Sequence, residues 1–141
     1  MEVTNPTTIT IETTVDAPIE KVWQYWTEPV HVTKWNYASD DWHSPKADND
    51  LRVEGKFSYT MAAKDGSMSF DFEGIYTHIE EHISIKYTLL DDRKVSIDFS
   101  SENGQTKIVE SFEAENQNSV ELQKGGWQAI LNNFKKYTEE N

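Results

Sequence analysis

The sequence contains no cysteine and few basic residues, and both features exclude classes of function. Without cysteine the chain cannot form a disulfide, use a thiolate as a nucleophile or bind zinc through sulfur. Only 13 lysines and arginines stand against 25 aspartates and glutamates, so the formal net charge is −12. Phosphate backbones and anionic lipid surfaces repel such a protein, so we expect neither a nucleic-acid nor a membrane partner.

Long apolar runs are also absent, and none approaches the roughly 20 residues that cross a bilayer as a helix. The polar start, Met1–Pro6, does not resemble an export signal. By elimination we expect a cytoplasmic protein. The 141 residues are enough for one domain, which we place at 1–141 with its core between residues 8 and 138.

What the sequence does contain is a clear order of elements. Alternation over residues 8–15 predicts a first strand, and proline near the start predicts two short helices, at 18–27 and 29–35. Strand-like runs joined by hairpin signals follow, and a long amphipathic helix begins near Ser119. This order predicts an α+β fold in which a curved antiparallel sheet of six to seven strands wraps around the C-terminal helix.

Two segments of this plan depart from regular patterns. Residues 36–55 show no periodicity although they contain Tyr37 and Trp42, so we expect an irregular, functional or mobile stretch. Gly125-Gly126 interrupts the last helix, where each glycine costs about 1 kcal/mol. Either the helix bends or approaches the sheet closely there, or the glycines leave room for a ligand beside Trp127.

Two motifs resemble metal sites, and we expect neither to bind a metal. His78-Ile-Glu-Glu-His82 fits a zinc-peptidase pattern that needs both imidazoles on one helical face, but it falls between two strand-like runs. Asp48-Asn-Asp50 lacks the glycine and the terminal glutamate of a calcium-binding loop. We therefore predict no metal and no cofactor.

Glu110 is the one carboxylate that the pattern brings near the interior. If Ile108 and Phe112 face the concave side of the sheet, Glu110 faces it too and can orient a polar ligand group or transfer a proton. In the opposite register Val109 is inside and Glu110 lies in solvent. The sequence leaves both registers open.

The aromatic residues predict either an ordinary core or the lining of a cavity between the sheet and the last helix. In the second case Trp35, Tyr37 and Trp42 are the expected mouth. The expected ligand-binding lining consists of Phe57, Tyr59, Met61, Phe70, Phe72, Tyr87, Glu110, Trp127, Ile130, Leu131 and Phe134.

Several segments together resemble a known family: Val15-Asp-Ala-Pro-Ile-Glu-Lys-Val-Trp23, Lys34-Trp35, Leu51-Arg-Val-Glu-Gly-Lys-Phe57 and Gly125-Gly-Trp127. They are similar to the C-terminal domain of the activator of heat-shock protein 90 ATPase, within the START-like or polyketide-cyclase-like superfamily. The resemblance covers roughly residues 8–138 and implies a helix-grip (START-like, Bet v 1-like) fold with a cavity. Many relatives have an aromatic residue at Asn36 and a glycine at Glu54.

Three functions fit this combination. The first is binding of a small hydrophobic or aromatic molecule in the cavity. The second is regulation of a chaperone ATPase through the acidic surface, which the resemblance implies, although the activator's separate N-terminal domain has no counterpart here. The third is a cyclase-like or hydrolase-like enzyme that uses Glu110 or a tyrosine as its acid–base group. The residues favour binding over catalysis.

Overall fold

The computed structural model describes residues 7–141 as an α+β fold in which one antiparallel sheet curls around a long C-terminal helix. The expectation about an export signal concerns Met1–Pro6, which lie outside the described residues. The strands are β1 (Thr8–Val15), β2 (Trp42–Asn49), β3 (Lys56–Ala63), β4 (Ser69–Glu80), β5 (Ser84–Leu89), β6 (Lys94–Glu102) and β7 (Gln105–Glu113). The helices are α1 (Ile19–Thr27), α2 (Pro29–Trp35) and α3 (Val120–Glu140).

The seven strands follow the order β1-β7-β6-β5-β4-β3-β2, and every neighbouring pair is antiparallel. Strands β2 to β7 therefore form a continuous meander, and β1 joins it beside the last strand. The Asn103-Gly104 turn between β6 and β7 has φ values of 52° and 82° at these two residues. Positive φ at both central positions is what a tight hairpin turn requires, which explains why an Asn-Gly pair stands there.

The predicted α+β helix-grip architecture is confirmed, including the two short helices after the first strand. The predicted start of α3 near Ser119 is also correct. The Ser119 hydroxyl accepts a hydrogen bond from the Leu122 backbone N–H at 3.1 Å. This capping bond satisfies one of the free N–H groups of the first helical turn. Among the described residues no helix is long and apolar enough to span a membrane.

The prediction of an irregular segment over residues 36–55 was wrong for its central part. Trp42–Asn49 form β2, which pairs with β3 at the edge of the sheet. The register shifts between His43 and Lys46, on either side of Pro45. Because an edge strand has only one partner and exposes most of its side chains, it tolerates a proline and shows no apolar alternation.

The packed core lies where α1, α2 and the C-terminal half of α3 meet the sheet. Val22, Val32 and Phe134 have no exposed surface, and Leu131 has almost none. Phe134 packs its ring between those of Trp26 and Trp35, with centroid distances of 4.8 Å and 5.0 Å. This end of the helix is thereby fixed against both the short helices and the sheet.

Candidate functional site

A cavity of about 340 Å³ lies between the concave face of the sheet and the N-terminal half of α3. Strands β3, β4 and β5 supply one wall, α3 supplies the opposite one, and α1 and α2 close one side. The lining consists of Trp26, Trp35, Asn36, Ala38, Phe57, Tyr59, Met61, Phe70, Phe72, Tyr76, Ile85, Tyr87, Arg93, Glu115, Asn118, Gln123, Gly126, Trp127, Ile130 and Leu131, together with Glu110. A concave, mostly apolar space with a few polar groups is the usual form of a small-molecule site.

The cavity brings together most of the side chains predicted from the sequence. Those in its lining are Trp35, Phe57, Tyr59, Met61, Phe70, Phe72, Tyr87, Glu110, Trp127, Ile130 and Leu131. Trp35 does not stand at a mouth, however, because it is 4% exposed and its indole Nε1–H donates to the Tyr25 carbonyl oxygen at 3.0 Å. It is a fixed part of the wall. Whether these residues bind a ligand stays a prediction.

Three predicted residues lie outside the cavity lining. Tyr37 follows α2, and its carbonyl oxygen accepts a hydrogen bond from Asn133 Nδ2 at 2.6 Å. Trp42 lies on β2 and contacts the ring of Phe70 at a centroid distance of 6.0 Å, so it supports a lining residue from behind. Phe134 belongs to the packed core described above.

The sequence reasoning missed several lining residues, namely Trp26, Ala38, Tyr76, Ile85, Arg93, Glu115, Asn118 and Gln123. The sequence could have indicated some of these residues. Trp26 shares the apolar stripe of α1, and Tyr76 and Ile85 continue the inward rows of β4 and β5. Arg93 follows a turn, and Glu115 and Asn118 precede α3, where periodicity gives no orientation; Gln123 lies in the first turn of α3.

Aromatic rings form a continuous wall along β3, β4 and β5. The rings of Phe57 and Tyr87 meet edge to face at 4.7 Å, and Phe72 meets Trp127 of α3 in the same way at 5.8 Å. Trp127 in turn stacks flat on Phe112, with centroids 3.9 Å apart and planes at 9°. These contacts hold the rings at fixed angles, so the cavity has rigid apolar walls.

Glu110 faces the concave side of the sheet, which decides between the two registers left open by the sequence. It pairs with Ile11 of β1 and Ile97 of β6, and it is 6% exposed. Burial raises the pKa of its carboxyl group to about 8, and among residues 7–141 no hydrogen bond or cation counteracts this shift. The side chain is therefore mostly uncharged at neutral pH. Its inward orientation beside a ligand-sized space also meets the geometric condition for an acid–base role.

Three buried tyrosines share the sheet side of the cavity. Burial raises the pKa of Tyr59 and Tyr87 well above the usual value and that of Tyr76 to about 12. The Tyr76 hydroxyl donates to Asn49 Oδ1 at 2.6 Å, and Tyr59 lies beside Tyr76. After burial, the nearby Glu110 carboxyl is the main influence on the pKa of Tyr87. All three hydroxyls keep their protons over the physiological range.

The polar residues at the α3 end of the cavity satisfy one another. Gln123 Nε2 donates to the backbone oxygens of Glu115 and Asn118 at 3.1 Å and 2.8 Å, and its Oε1 accepts from the Glu115 N–H. The Glu115 carboxylate accepts two hydrogen bonds from Asn118. Arg93 is paired with Asp91 at 2.7 Å. These groups hold the loop before α3 in place.

Asn36 is different, because no group of residues 7–141 accepts a hydrogen bond from its buried Nδ2. The residue is 7% exposed and lines the cavity at the end of α2. Glu54, the other position where this chain departs from many similar sequences, lies outside the lining and has a φ of 70°. A left-handed conformation there fits a position at which relatives carry glycine.

Gly125 and Gly126 do not mark a close approach of α3 to the sheet. A Cβ atom added at either position meets nothing within 4 Å, and α3 runs through both without interruption. Gly126 lines the cavity, whereas Gly125 is exposed. The open space beside Trp127 is thus a feature of the structure.

The two motifs that resemble metal sites do not form the arrangements those sites need. His78 lies on β4 and His82 in the turn that follows, where its φ is 66°. Their nearest charged partners are Glu80 and Glu81, at 3.5 Å and 3.7 Å. The two imidazoles are therefore not one helical turn apart, and across residues 7–141 no cluster of potential metal ligands is found.

Comparisons with known proteins agree with this architecture. The family model described as "Activator of Hsp90 ATPase homolog 1-like protein" matches residues 16–139. The solution structure of an AHSA1-like protein from Aeromonas hydrophila is 42% identical, with a TM-score of 0.89 and coverage of 95% of this chain and 93% of that one. A solution structure from Cytophaga hutchinsonii is 58% identical, with a TM-score of 0.81 and coverage of 94% and 92%.

Two crystal structures at lower identity show the same fold. They come from Chromobacterium violaceum and Nitrosomonas europaea, at 20% and 16% identity and TM-scores of 0.83 and 0.81. They cover 96% and 94% of this chain, and this chain covers 100% and 94% of theirs. No curated protein matches the chain. The expected START-like resemblance is confirmed, and the chain belongs to the family of activator of Hsp90 ATPase homolog 1-like proteins.

Proposed function

We propose that the protein binds a small, largely apolar molecule in the cavity between the sheet and the N-terminal half of α3. The observation that supports this most directly is the space of about 340 Å³ with aromatic walls. A helix that packed fully would close this gap, because burying apolar surface is favourable by about 25 cal/mol per Å². Here the helix instead carries Gly126, which has no side chain, beside the cavity.

The aromatic walls favour a ligand with ring character. Phe57, Phe72 and Trp127 present edges and faces at fixed angles, which suits flat ligands better than flexible chains. A cavity of this size also falls at the lower end of the range for small-molecule sites. We therefore propose a compact aromatic or polycyclic molecule, bound in the cytoplasm.

The test uses the two adjacent glycines as a matched pair. Gly126→Leu places a side chain in the cavity, whereas Gly125→Leu adds the same side chain on the exposed face of the same helical turn. Chemical-shift mapping with a panel of lipids and aromatic metabolites should perturb the lining residues in the original protein and in the Gly125 variant. The Gly126 variant should show no such shifts. If no compound perturbs the lining of the original protein, or if both variants bind equally, the proposal fails.

A second candidate is regulation of a chaperone ATPase, which the description of the matching family favours. The net charge of −12 would supply attraction to a basic surface of the partner. The expected result is salt-sensitive binding to a chaperone of the Hsp90 class, with faster ATP turnover. Gly126→Leu should leave this binding intact, because it changes only the cavity. No binding at low ionic strength would contradict this candidate.

A further inference from the structure

The cavity contains unused hydrogen-bond donors as well as apolar walls, and they narrow the class of ligand. Most of its polar groups are already bonded within the protein: those of Gln123, Glu115 and Asn118 to one another, Arg93 to Asp91, and the Tyr76 hydroxyl to Asn49. Three of the groups that remain are the carboxyl of Glu110, the hydroxyl of Tyr87 and the side-chain amide of Asn36, and these three residues are the most deeply buried of the polar ones that remain.

Each of these groups is more than nine-tenths buried and lines the cavity. Glu110, Tyr87 and Asn36 are 6%, 8% and 7% exposed. A buried polar group without a partner destabilises the protein, so an unpaired group that faces a cavity is a contact point for a ligand. Within the described residues, no lysine, arginine or histidine lies close enough to Glu110 to offset the effect of its burial.

The protonation state decides whether these groups donate or accept. Burial among Ile11, Ile97 and Phe112 keeps the Glu110 carboxyl mostly protonated at neutral pH, so its O–H is a donor. The Tyr87 hydroxyl keeps its proton as well, and the amide nitrogen of Asn36 only donates. All three groups can therefore donate a hydrogen bond to an acceptor on the ligand.

We propose that the ligand is an uncharged aromatic molecule bearing a carbonyl-type acceptor, which receives a hydrogen bond from Glu110 beside Tyr87, with Asn36 as a second donor. The inference rests on the proposed ligand-binding function and specifies its chemistry. An anionic ligand would face the negative charge of the protein, and Arg93 is already paired with Asp91. A cationic ligand would have to displace the proton of Glu110 and would leave Asn36 unpaired.

The test compares four naphthalene probes that share one apolar body. The ketone 2-acetylnaphthalene and the alkene 2-isopropenylnaphthalene have nearly the same shape, but only the ketone has an acceptor. The anion 2-naphthoate and the cation 1-(2-naphthyl)ethylammonium complete the set. Titrations followed by NMR should give the ketone a dissociation constant about tenfold lower than that of the alkene at pH 7. The two ions should bind more weakly than the ketone.

Two variants at one position separate hydrogen bonding from packing. Glu110→Gln keeps a donor at all pH values, so the preference for the ketone should persist. Glu110→Leu removes the donor, so ketone and alkene should bind about equally. Tyr87→Phe should reduce the preference by a smaller factor. In each variant a retained dispersion of the amide NMR signals shows that the fold is intact.

The pH dependence of ketone binding separates hydrogen bonding by Glu110 from packing, because packing alone does not change with pH. As Glu110 loses its proton, ketone affinity in the original protein should fall by about tenfold between pH 6.5 and pH 9.5, because the donor is lost. Glu110→Gln should abolish this fall. The other titratable or charged groups of the lining are Tyr59, Tyr76 and Tyr87, whose pKa values are raised by burial, and Arg93 and Glu115, which are bonded to Asp91 and Asn118.

The outcomes distinguish this inference from the function on which it rests. If all four probes bind at the lining with similar affinity, the cavity is a ligand site but the carbonyl inference is wrong. Tighter binding of the cation, lost in Glu110→Gln, would also overturn it and assign Glu110 as a carboxylate for an ammonium group. If none of the probes binds, while the lipid and metabolite panel also fails, the proposed function itself is wrong.

Discussion

The two halves of α3 meet the same sheet in opposite ways. In the C-terminal half Leu131, Phe134 and Thr138 are fully or almost fully buried. In the N-terminal half Trp127 and Ile130 are only partly buried, and they stand over the cavity. One continuous apolar stripe therefore covers both a packed core and a space for a ligand. Amphipathicity tells which face of a helix points inward, but it does not tell whether that interior is filled.

The difference comes from what lies between the helix and the sheet. At the packed end the rings of Trp26 and Trp35, from α1 and α2, fill the gap beneath Phe134. Toward the other end of the helix Trp127 reaches Phe112 and Phe72 of the sheet, whereas Phe57 packs on its sheet neighbours Tyr59 and Tyr87. Gly126 contributes no side chain to close the gap.

The largest expected difference between the two halves of α3 should appear when one apolar side chain in each half is truncated to alanine. Phe134→Ala removes a fully buried ring and should lower the free energy of unfolding by about 4 kcal/mol. Ile130→Ala, one helical turn earlier, removes a side chain that already borders the cavity and should cost only about 1 kcal/mol. Chemical denaturation measures both. Equal losses would mean that the N-terminal half is packed as tightly as the core.

A second difference between the two regions is that the cavity contains a buried titratable group. The pKa of Glu110 rises on folding from its usual value near 4.5 to about 8. Between these values the folded protein binds more protons than the unfolded chain, so stability should fall as the pH rises. From pH 5 to pH 8 this group alone should remove about 3 kcal/mol of unfolding free energy.

The matched control for that pH effect is Glu110→Gln, which cannot titrate. Denaturation of both proteins across this pH range isolates the contribution of Glu110 from that of the other 24 acidic residues, because only the difference between the two curves matters. The two proteins should differ least near pH 5, where folded Glu110 is protonated, and the Gln variant should become the more stable one by about 3 kcal/mol as the pH rises towards 8. A constant difference would show that the Glu110 carboxyl is solvated rather than buried.

The sequence predicted the sheet well because alternating strands and hairpin signals depend on local chemistry. The inward rows of β6 and β7, for example, follow directly from Val95, Ile97 and Phe99 and from Ile108 and Phe112. β2 was missed because an edge strand with a bulge near Pro45 needs no apolar alternation. Ile83 continues the alternation of Ile85, Tyr87 and Leu89, which predicts an inward side chain, yet it is 51% exposed because it still belongs to the turn before β5.

The site was predictable only where it lies on regular elements. Glu110 was an inward candidate because its neighbours on β7 alternate, but the choice of register required the pairings with Ile11 and Ile97. Asn36 lies at the end of a helix, where no period gives its orientation. Whether its amide finds a hydrogen-bond partner depends on residues that are distant in the sequence but close in the fold. No local sequence pattern predicts this.

The smallest expected effect concerns Gly125 and Gly126 of α3. It tests whether the space between this part of the helix and the sheet is open. Because an added Cβ meets nothing at Gly125 or Gly126, alanine at either position should stabilise the protein by roughly 0.5 to 1 kcal/mol through its higher helix propensity. Gly74→Ala is the opposite control, since its Cβ would come within 2.8 Å of the Phe57 ring and should destabilise the protein. Thermal and chemical denaturation would measure all three. A loss of stability in Gly126→Ala would mean that α3 lies against the sheet at that point, and the contrast between the two halves of the helix would disappear with the cavity.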